Sequence, residues 1–175
     1  MKRIVIRYGL YGALVEVVFF FVSLILAGVT KANYDILKIN CYPAIIVSLS
    51  FTYFGIRYYR DHFSNGIISF NKALSLGMLI VLIPALCFAF SDTIYDTILD
   101  PHFYDRIEED KIRTLHQSAS GNDLNSKVAM IKDQFNFYKN PVVNFAVMFI
   151  TVSFFGLVIT VFSAFKLRMA SSRMP

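Results

Sequence analysis

Three long runs of this chain carry no charged side chain, and they constrain its fold more than any other feature. The runs extend from Ile39 to Ile56, from Ala73 to Ser91 and from Asn140 to Phe165. A helix crosses a bilayer with about 20 mostly apolar residues, because the hydrocarbon core is about 30 Å thick and the helix rises about 1.5 Å per residue. Tyr8–Thr30 is also long enough, although Glu16 interrupts it. The pattern predicts four spans, over residues 6–29, 40–59, 67–91 and 141–166.

The composition supports a membrane protein over a soluble one. Hydrophobic residues make up 56% of the chain and charged residues 17%, whereas soluble domains average about 25% charge. Residues 17–22 and 78–83 are apolar throughout, while a surface helix of a soluble protein presents a polar face. Disordered chains lack this much apolar surface. We therefore predict an all-α fold, with residues 1–175 forming a single membrane domain.

The basic residues predict the orientation of the four spans. Lysine and arginine collect on the cytoplasmic side of membrane proteins. They cluster here at three places that four spans would bring to one side, whereas the connection between spans three and four is acidic on balance. Both termini are therefore expected in the cytoplasm, and the net charge of +5 is attributed to these anchors rather than to nucleic-acid binding. The anchors are Lys2, Arg3, Arg7, Arg57, Arg60, Lys72, Lys166, Arg168 and Arg173.

Residues 93–140, between spans three and four, are predicted to form an extracytoplasmic helical hairpin. One helix is expected over 103–118, a turn at Gly121, and a second helix before Asn140-Pro141. Apolar residues recur at helical spacing on one face of the second helix. This stripe is a candidate interface, and its partner can be the first helix of the hairpin, the membrane surface or another chain. The stripe consists of Leu124, Val128, Ile131, Phe135 and Tyr138.

Glu16 is the most informative single residue, because a charge near mid-membrane costs about 2.5–3.5 kcal/mol. Tyr8, Gly12 and Glu16 share one helix face, and Lys72 lies near the start of the third span. We therefore name Glu16, Tyr8 and Lys72 as a candidate intramembrane polar site. Two interpretations of Glu16 remain open: a proton or cation site, or an interhelical hydrogen bond. Lys72 can extend to the membrane surface or bend toward Glu16.

Motifs for catalysis, cofactors or metals are missing from the sequence. It contains no HExxH, CxxC or phosphate-binding loop, and its three histidines are far apart. Cys41 and Cys87 could form a disulfide only if the second and third spans were adjacent. We therefore expect no enzymatic activity, no cofactor, no metal and no nucleic-acid partner.

Short motifs are distributed along nearly the whole chain: Tyr8-Gly9, Gly55-Ile56-Arg57, Tyr59-Arg60-Asp61, Gly66, Ile68-Ser69-Phe70, Lys72-Ala73-Leu74, Gly77, Asp100-Pro101, Phe103, Tyr138-Lys139-Asn140-Pro141, Gly156 and Ser163-Ala164. As a set they resemble the integral membrane proteins of Bacteroidota grouped as domain of unknown function 4199. The resemblance implies four spans and a bacterial inner-membrane location, and it implies no activity. Family members often carry a glutamate and a proline in the last span, where this chain has Thr151 and Phe154, so the resemblance does not extend to an acid there.

The leading hypothesis for function is a structural or interaction role, as an accessory subunit or a small homo-oligomer. It is favoured by the hairpin and by the lack of chemical motifs. Its expected partners are the lipid bilayer and a protein partner or a second copy of the chain. The alternative is a small transporter or channel that uses Glu16 as an intramembrane proton or cation site.

Overall fold

The structure is a computed structural model that describes the backbone of residues 1–30, 34–118 and 124–171, and the side chains of 1–23, 25, 42–117 and 124–168. This part of the chain is helical throughout and contains no strand, which confirms the predicted all-α fold. The predicted turn at Gly121 and the side chain of Cys41 lie outside the described residues. The helices are α1 (Lys2–Thr30), α2 (Tyr34–Phe63), α3 (Phe70–Ile94), α4 (Phe103–Ser118), α5 (Leu124–Tyr138) and α6 (Pro141–Ser171).

Local sequence explains where several helices begin and end. Asn140 caps α6, because its Oδ1 accepts hydrogen bonds from the backbone N–H groups of Val142 at 3.0 Å and Val143 at 3.4 Å. Pro141 then occupies the first helical position, which needs no N–H donor. After α2, Asn65 and Gly66 adopt positive φ angles of 48° and 78°, the left-handed conformation that commonly follows a helix.

Three helices are long and apolar enough to cross a membrane, and they indicate a membrane protein. Among the described residues they are Lys2–Ser23, Phe70–Leu99 and Pro141–Arg168. Large apolar side chains on these helices point outward, such as Leu14 at 65% and Phe162 at 72% exposure, as expected for a surface that contacts lipid. The predicted second span lies within α2, which does not appear among these three helices.

The described residues divide into two compact units. The first runs from Met1 to Phe88 and from Phe149 onward, and in it α1 packs closely on α2. One hydrophobic cluster joins the start of α1 to the end of α6 through Ile4, Ile56 and Leu167. A second cluster, around Leu49, Val81 and Val152, joins α2, α3 and α6.

The second unit, Ala89–Met148, contains α4, α5 and the ends of two long helices. α4 and α5 pack against each other, with Ile107 and Phe135 buried. α3 continues past the predicted end at residue 91 and passes into a π-helical turn, Tyr95–Leu99. The hydroxyls of Thr93 and Thr97 bond to carbonyls four residues earlier, so these polar residues fit within the helix instead of ending it.

Candidate functional site

Glu16 lies on the buried face of α1 and is only 4% exposed. Gly12 and Ala13, one turn earlier, are also buried, whereas Leu14 and Val18 point outward. The helical period therefore directs this carboxyl into the first unit and away from the surface. A carboxyl so placed in an apolar, membrane-length helix is costly, and residues of this kind commonly mark ion pathways.

Ser48 of α2 lies next to the Glu16 carboxyl. The two helices approach closely here, because a Cβ atom at Gly12 would lie 3.0 Å from the Ser48 carbonyl oxygen and 3.1 Å from its hydroxyl. The Ser48 hydroxyl lies close enough to the Glu16 carboxyl to interact with it as a hydrogen-bond donor, but the contact does not have the geometry of a good hydrogen bond. Within the described residues, Glu16 Oε1 and the hydroxyls of Ser48 and Thr52 are buried without a hydrogen-bond partner. We call Glu16, Ser48 and Thr52 the Glu16 site.

The other two residues predicted for this site lie elsewhere. Tyr8 is two turns from Glu16 along α1, where its ring centroid is 5.9 Å from that of Tyr58. Lys72 is exposed, and its Nζ atom lies 5.4 Å from the centre of the Tyr59 ring. Its ammonium group therefore makes a cation–π contact with that ring. The structure does not bring Tyr8 or Lys72 together with Glu16.

A second polar cluster, which sequence reasoning missed, lies in the second unit. Asn144 is fully buried, and its Nδ2 donates to Asp92 Oδ2 at 2.9 Å and to Asp96 Oδ2 at 2.8 Å. Its Oδ1 accepts a hydrogen bond of 2.9 Å from the Tyr104 hydroxyl. This Asn144 cluster therefore connects α3, the π-helical turn, α4 and α6 through one amide.

The sequence contained a signal for this cluster. Asp92 and Asp96 are four residues apart, so they share a face if the helix continues, and Asn144 lies close to the start of an apolar helix. Both aspartates follow the predicted third span, which ends at residue 91, so in the sequence they belong to the acidic connection. Thr52 and Ser48, also four apart, gave a comparable signal on α2.

The predicted stripe on α5 lies against α4, at least at its C-terminal end. Phe135 is 5% exposed, its ring centroid is 6.4 Å from that of Tyr104, and the Tyr138 ring stacks on Tyr104 at 6.2 Å. The Nζ atom of Lys111 lies 5.0 Å from the centre of the Phe135 ring. The remaining members of the stripe, Leu124, Val128 and Ile131, are half-buried.

Ion pairs attach the end of α5 to α4. Lys139 Nζ lies 2.7 Å from Asp105 Oδ1 and 2.8 Å from Glu108 Oε2. The hydrogen bond from Lys139, with a smaller contribution from His102, lowers the pKa of Asp105. The same bonds, first to Asp105 and then to Glu108, raise the pKa of Lys139. Asp100 and Arg106 form a further pair nearby.

Other chemistry-bearing residues are dispersed. Within the described ranges, no three His, Cys, Asp or Glu side chains are grouped closely enough to hold a metal ion. The Cys87 Sγ atom lies 4.0 Å from the Ala13 carbonyl oxygen, to which it donates a weak hydrogen bond. A disulfide between Cys87 and Cys41 would involve a side chain outside the described residues.

Comparison with known proteins identifies the family and nothing beyond it. The model of a family described as "Protein of unknown function (DUF4199)" matches residues 7–168. Because the match covers most of the chain, the chain belongs to this family. No curated protein matches the sequence, and no solved structure matches it.

Proposed function

We propose that this DUF4199 protein is a small, non-enzymatic membrane transporter or channel, in which the Glu16 carboxyl binds a proton or a monovalent cation during passage. The observation that carries the proposal is the burial of Glu16, at 4% exposure, together with the unpaired Oε1 atom. A purely structural carboxyl would be expected to have its oxygens satisfied, since an unpaired buried polar atom costs about 1–3 kcal/mol.

Reconstituted protein tests this function. Wild-type protein and Glu16→Gln would be placed in liposomes in equal amounts, and proton and alkali-cation fluxes would be recorded. Glu16→Gln keeps the shape of the side chain and removes its charge, so we expect the flux to fall at least tenfold. Glu109→Gln, at an exposed position of α4, is the control and should keep the wild-type flux. Equal fluxes in all three proteins would exclude the proposal.

The proposed topology has four spans in a bacterial inner membrane, with α2 as the second span in addition to α1, α3 and α6. Both termini would be cytoplasmic, and α4 and α5, which lie between spans three and four in the chain, would be extracytoplasmic. The distribution of lysine and arginine supports this orientation. A cysteine at exposed Ser126 should react with an impermeant reagent added outside the cell, and one at Ser64 should not. The reverse labelling pattern would overturn the topology.

A second candidate is the structural or interaction role, as an accessory subunit or homo-oligomer. It is favoured by the outer face of α5, where Met130 is 72% and Phe137 57% exposed. These residues are seven apart and so lie on the same helix face. Affinity purification in mild detergent would test it: Met130→Ser with Phe137→Ser should release a co-purifying protein or second copy. If the same species co-purifies with the variant, this face is not the interface.

A further inference from the structure

We propose that the Glu16 site binds an alkali cation, with Glu16 Oε1 and the hydroxyl oxygens of Ser48 and Thr52 as ligands. This inference rests on the proposed function, because it identifies the ion carried at the same carboxyl.

The first argument is that one oxygen atom of each side chain is deeply buried without a hydrogen-bond partner of good geometry. Glu16 is 4% exposed, and Ser48 and Thr52 are each 1% exposed. Glu16 Oε1 and both hydroxyls lack a hydrogen-bond partner in the described structure. Buried polar atoms in folded proteins nearly always have a hydrogen-bond partner, so three buried oxygen atoms without one on two adjacent helices are unusual.

The second argument comes from three other helical hydroxyls of the first unit, although a fourth, that of Ser153 on α6, is buried without a partner. Ser50, Thr160 and Ser163 each donate to the carbonyl oxygen four residues earlier, all at 2.7 Å. This local bond is the usual solution for serine and threonine within a helix. Ser48 and Thr52 do not form it, although Ser50 lies between them on the same helix. Their oxygens therefore remain free to serve as ligands.

The register of α1 and α2 places these residues at nearly the same height along the two helix axes. Gly12 packs against Ser48, and a Cβ atom at Gly55 would lie 3.2 Å from Cβ of Tyr8. The helices therefore run antiparallel here, and Thr52 lies on α2 between Ser48 and Gly55. It follows that Thr52 is level with the turn of α1 that contains Gly12.

The side chain of Glu16 is directed toward the same height, that of Gly12. A side chain on a helix leans toward the N-terminus and covers the turn before its own Cα. The residue one turn before Glu16 is Gly12, which has no side chain to fill that space. The carboxyl can therefore extend over Gly12 toward the hydroxyls of Ser48 and Thr52.

α3 passes close to the contact between α1 and α2, and its Ile80 carbonyl is a candidate for a further ligand. Pro84 has no N–H, so the Ile80 carbonyl loses its usual helical donor. A Cβ atom at Gly12 would lie 3.4 Å from Pro84 Cγ, and one at Gly55 would lie 2.6 Å from Ile80 Cδ1. Carbonyls released at helix interruptions coordinate sodium in membrane transporters, and the Ile80 carbonyl would supply a fourth oxygen.

The composition of the site favours a monovalent cation. Carboxylate, hydroxyl and carbonyl oxygens are hard ligands that suit hard cations. A single carboxylate balances one positive charge, so the occupied site is neutral, whereas a divalent ion would leave an unbalanced charge in a low-dielectric region. A bound proton would satisfy the carboxyl and leave the Thr52 hydroxyl unpaired.

Thermal unfolding of the purified full-length protein in detergent tests the inference. Sodium chloride would be exchanged for choline chloride at constant ionic strength and constant neutral pH. A ligand that binds the folded state raises the unfolding midpoint with its concentration, so the midpoint of the wild type should rise with sodium. Glu16→Gln should abolish this response. Ser48→Ala and Thr52→Val should each weaken the apparent sodium affinity by roughly tenfold or more, the effect of losing one contact to a charged group.

Two matched controls use hydroxyls that are already hydrogen-bonded. Ser50→Ala removes a serine from the same helix, and Thr160→Val removes a buried threonine from α6. Both should keep the sodium response of the wild type, whatever their effect on the midpoint without sodium. If Glu16→Gln does not fold, the comparison of Ser48→Ala with Ser50→Ala and of Thr52→Val with Thr160→Val decides the question.

The possible results separate this inference from the proposed function. Equal midpoints in sodium and choline, together with proton flux that depends on Glu16, would exclude alkali-cation binding and leave Glu16 as a proton-binding residue. A sodium response that persists in Glu16→Gln would place the ion elsewhere and overturn the site. No sodium response and no flux that depends on Glu16 would overturn both proposals.

Discussion

Gly12 and Ser48 bring the backbones of α1 and α2 together without a side chain between them. A methyl group at position 12 would lie 3.0 Å from the Ser48 carbonyl oxygen and 3.1 Å from its hydroxyl. The carbonyl oxygen belongs to a helix backbone and cannot rotate away. Small residues at such crossings let membrane helices approach closely, and here the crossing positions the neighbouring Glu16.

Gly12→Ala should therefore destabilise the protein. Alanine favours a helix over glycine by about 1 kcal/mol, but an extra methyl in a tight contact costs about 1–3 kcal/mol, and contact with a fixed carbonyl lies toward the upper end. We expect a lower unfolding midpoint in detergent. Leu14→Ala, at an outward-facing position, should change it less. A higher midpoint for Gly12→Ala would show that α1 and α2 are not in close contact at this point.

Asn144→Leu should destabilise the second unit. The change removes the donor shared by Asp92 and Asp96 and the acceptor of the Tyr104 hydroxyl, and orphaned buried groups of this kind cost about 2–4 kcal/mol in total. Amide hydrogen exchange in α4 should accelerate accordingly. Asn136→Leu, at an exposed position of α5, is the matched control.

A compensating variant separates the hydrogen bonds of Asn144 from its packing. Replacing Asp92, Asp96 and Asn144 together by leucine removes both carboxyls that would otherwise lose their donor, although the Tyr104 hydroxyl still loses its acceptor. Replacing hydrogen-bonded partners by apolar groups of similar size is often nearly neutral. This triple variant should recover much of the protection against amide hydrogen exchange that Asn144→Leu loses. If amide hydrogens of α4 exchange as fast in the triple variant as in Asn144→Leu alone, the Asn144 side chain stabilises the unit through its packing and not through its hydrogen bonds.

The long helices were predictable from the sequence, and the two polar clusters were predictable only in part. Uninterrupted apolar runs favour long helices, because membrane-length burial leaves few alternatives, and α2, α3 and α6 each contain one of these runs to within one residue. The burial of Glu16 follows from helical period alone. Its relation to Ser48 depends on which helices pack together and in what register, and neither is encoded in the period of one helix.

The Asn144 cluster shows why side-chain partners were harder to predict than helices. Asp92 and Asp96 look like ordinary solvated acids in a linear sequence, since only the continuation of α3 directs them toward α6. Lys72 similarly had two plausible directions, and the ring of Tyr59, brought near by the α2–α3 connection, determines which one it takes.

Phe135→Ala should open the α4–α5 hairpin, whereas Phe137→Ala should not. Phe135 is 5% exposed and Phe137 57%, although they lie only two residues apart. Removing a buried phenylalanine costs about 3–5 kcal/mol, and this residue also contacts Tyr104 and Lys111. We expect faster hydrogen exchange in α4 and α5 for Phe135→Ala alone. Equal effects of the two changes would contradict the packing of the hairpin.

Lys139→Gln should weaken the hairpin modestly and in a pH-dependent way. Exposed ion pairs contribute up to about 1 kcal/mol each. The lowered pKa of Asp105 gives stability that is present above about pH 4 and is lost as the pH falls through the folded-state pKa. The raised pKa of Lys139 gives stability that is present below about pH 10 and is lost as the pH rises through its folded-state pKa.

The stability difference between wild type and Lys139→Gln should therefore be constant near neutral pH and shrink in acid. Hydrogen exchange of α4 and α5, corrected for the intrinsic pH dependence of exchange, measures this difference. Lys132→Gln, at an exposed position of α5, should show little difference at any pH. A Lys139 effect that persists unchanged in strong acid would rule out the ion pairs as its source.

The most direct test of the central claim is the infrared difference spectrum of the Glu16 carboxyl. Reconstituted protein would be exchanged between sodium and choline buffers at constant pH, and then between two pH values without sodium. If Glu16 binds the transported ion, the wild type should show a carboxyl or carboxylate difference band in at least one exchange, and Glu16→Gln should lack that band. Identical difference spectra for the two proteins would contradict the assignment of Glu16 as the ion-binding residue.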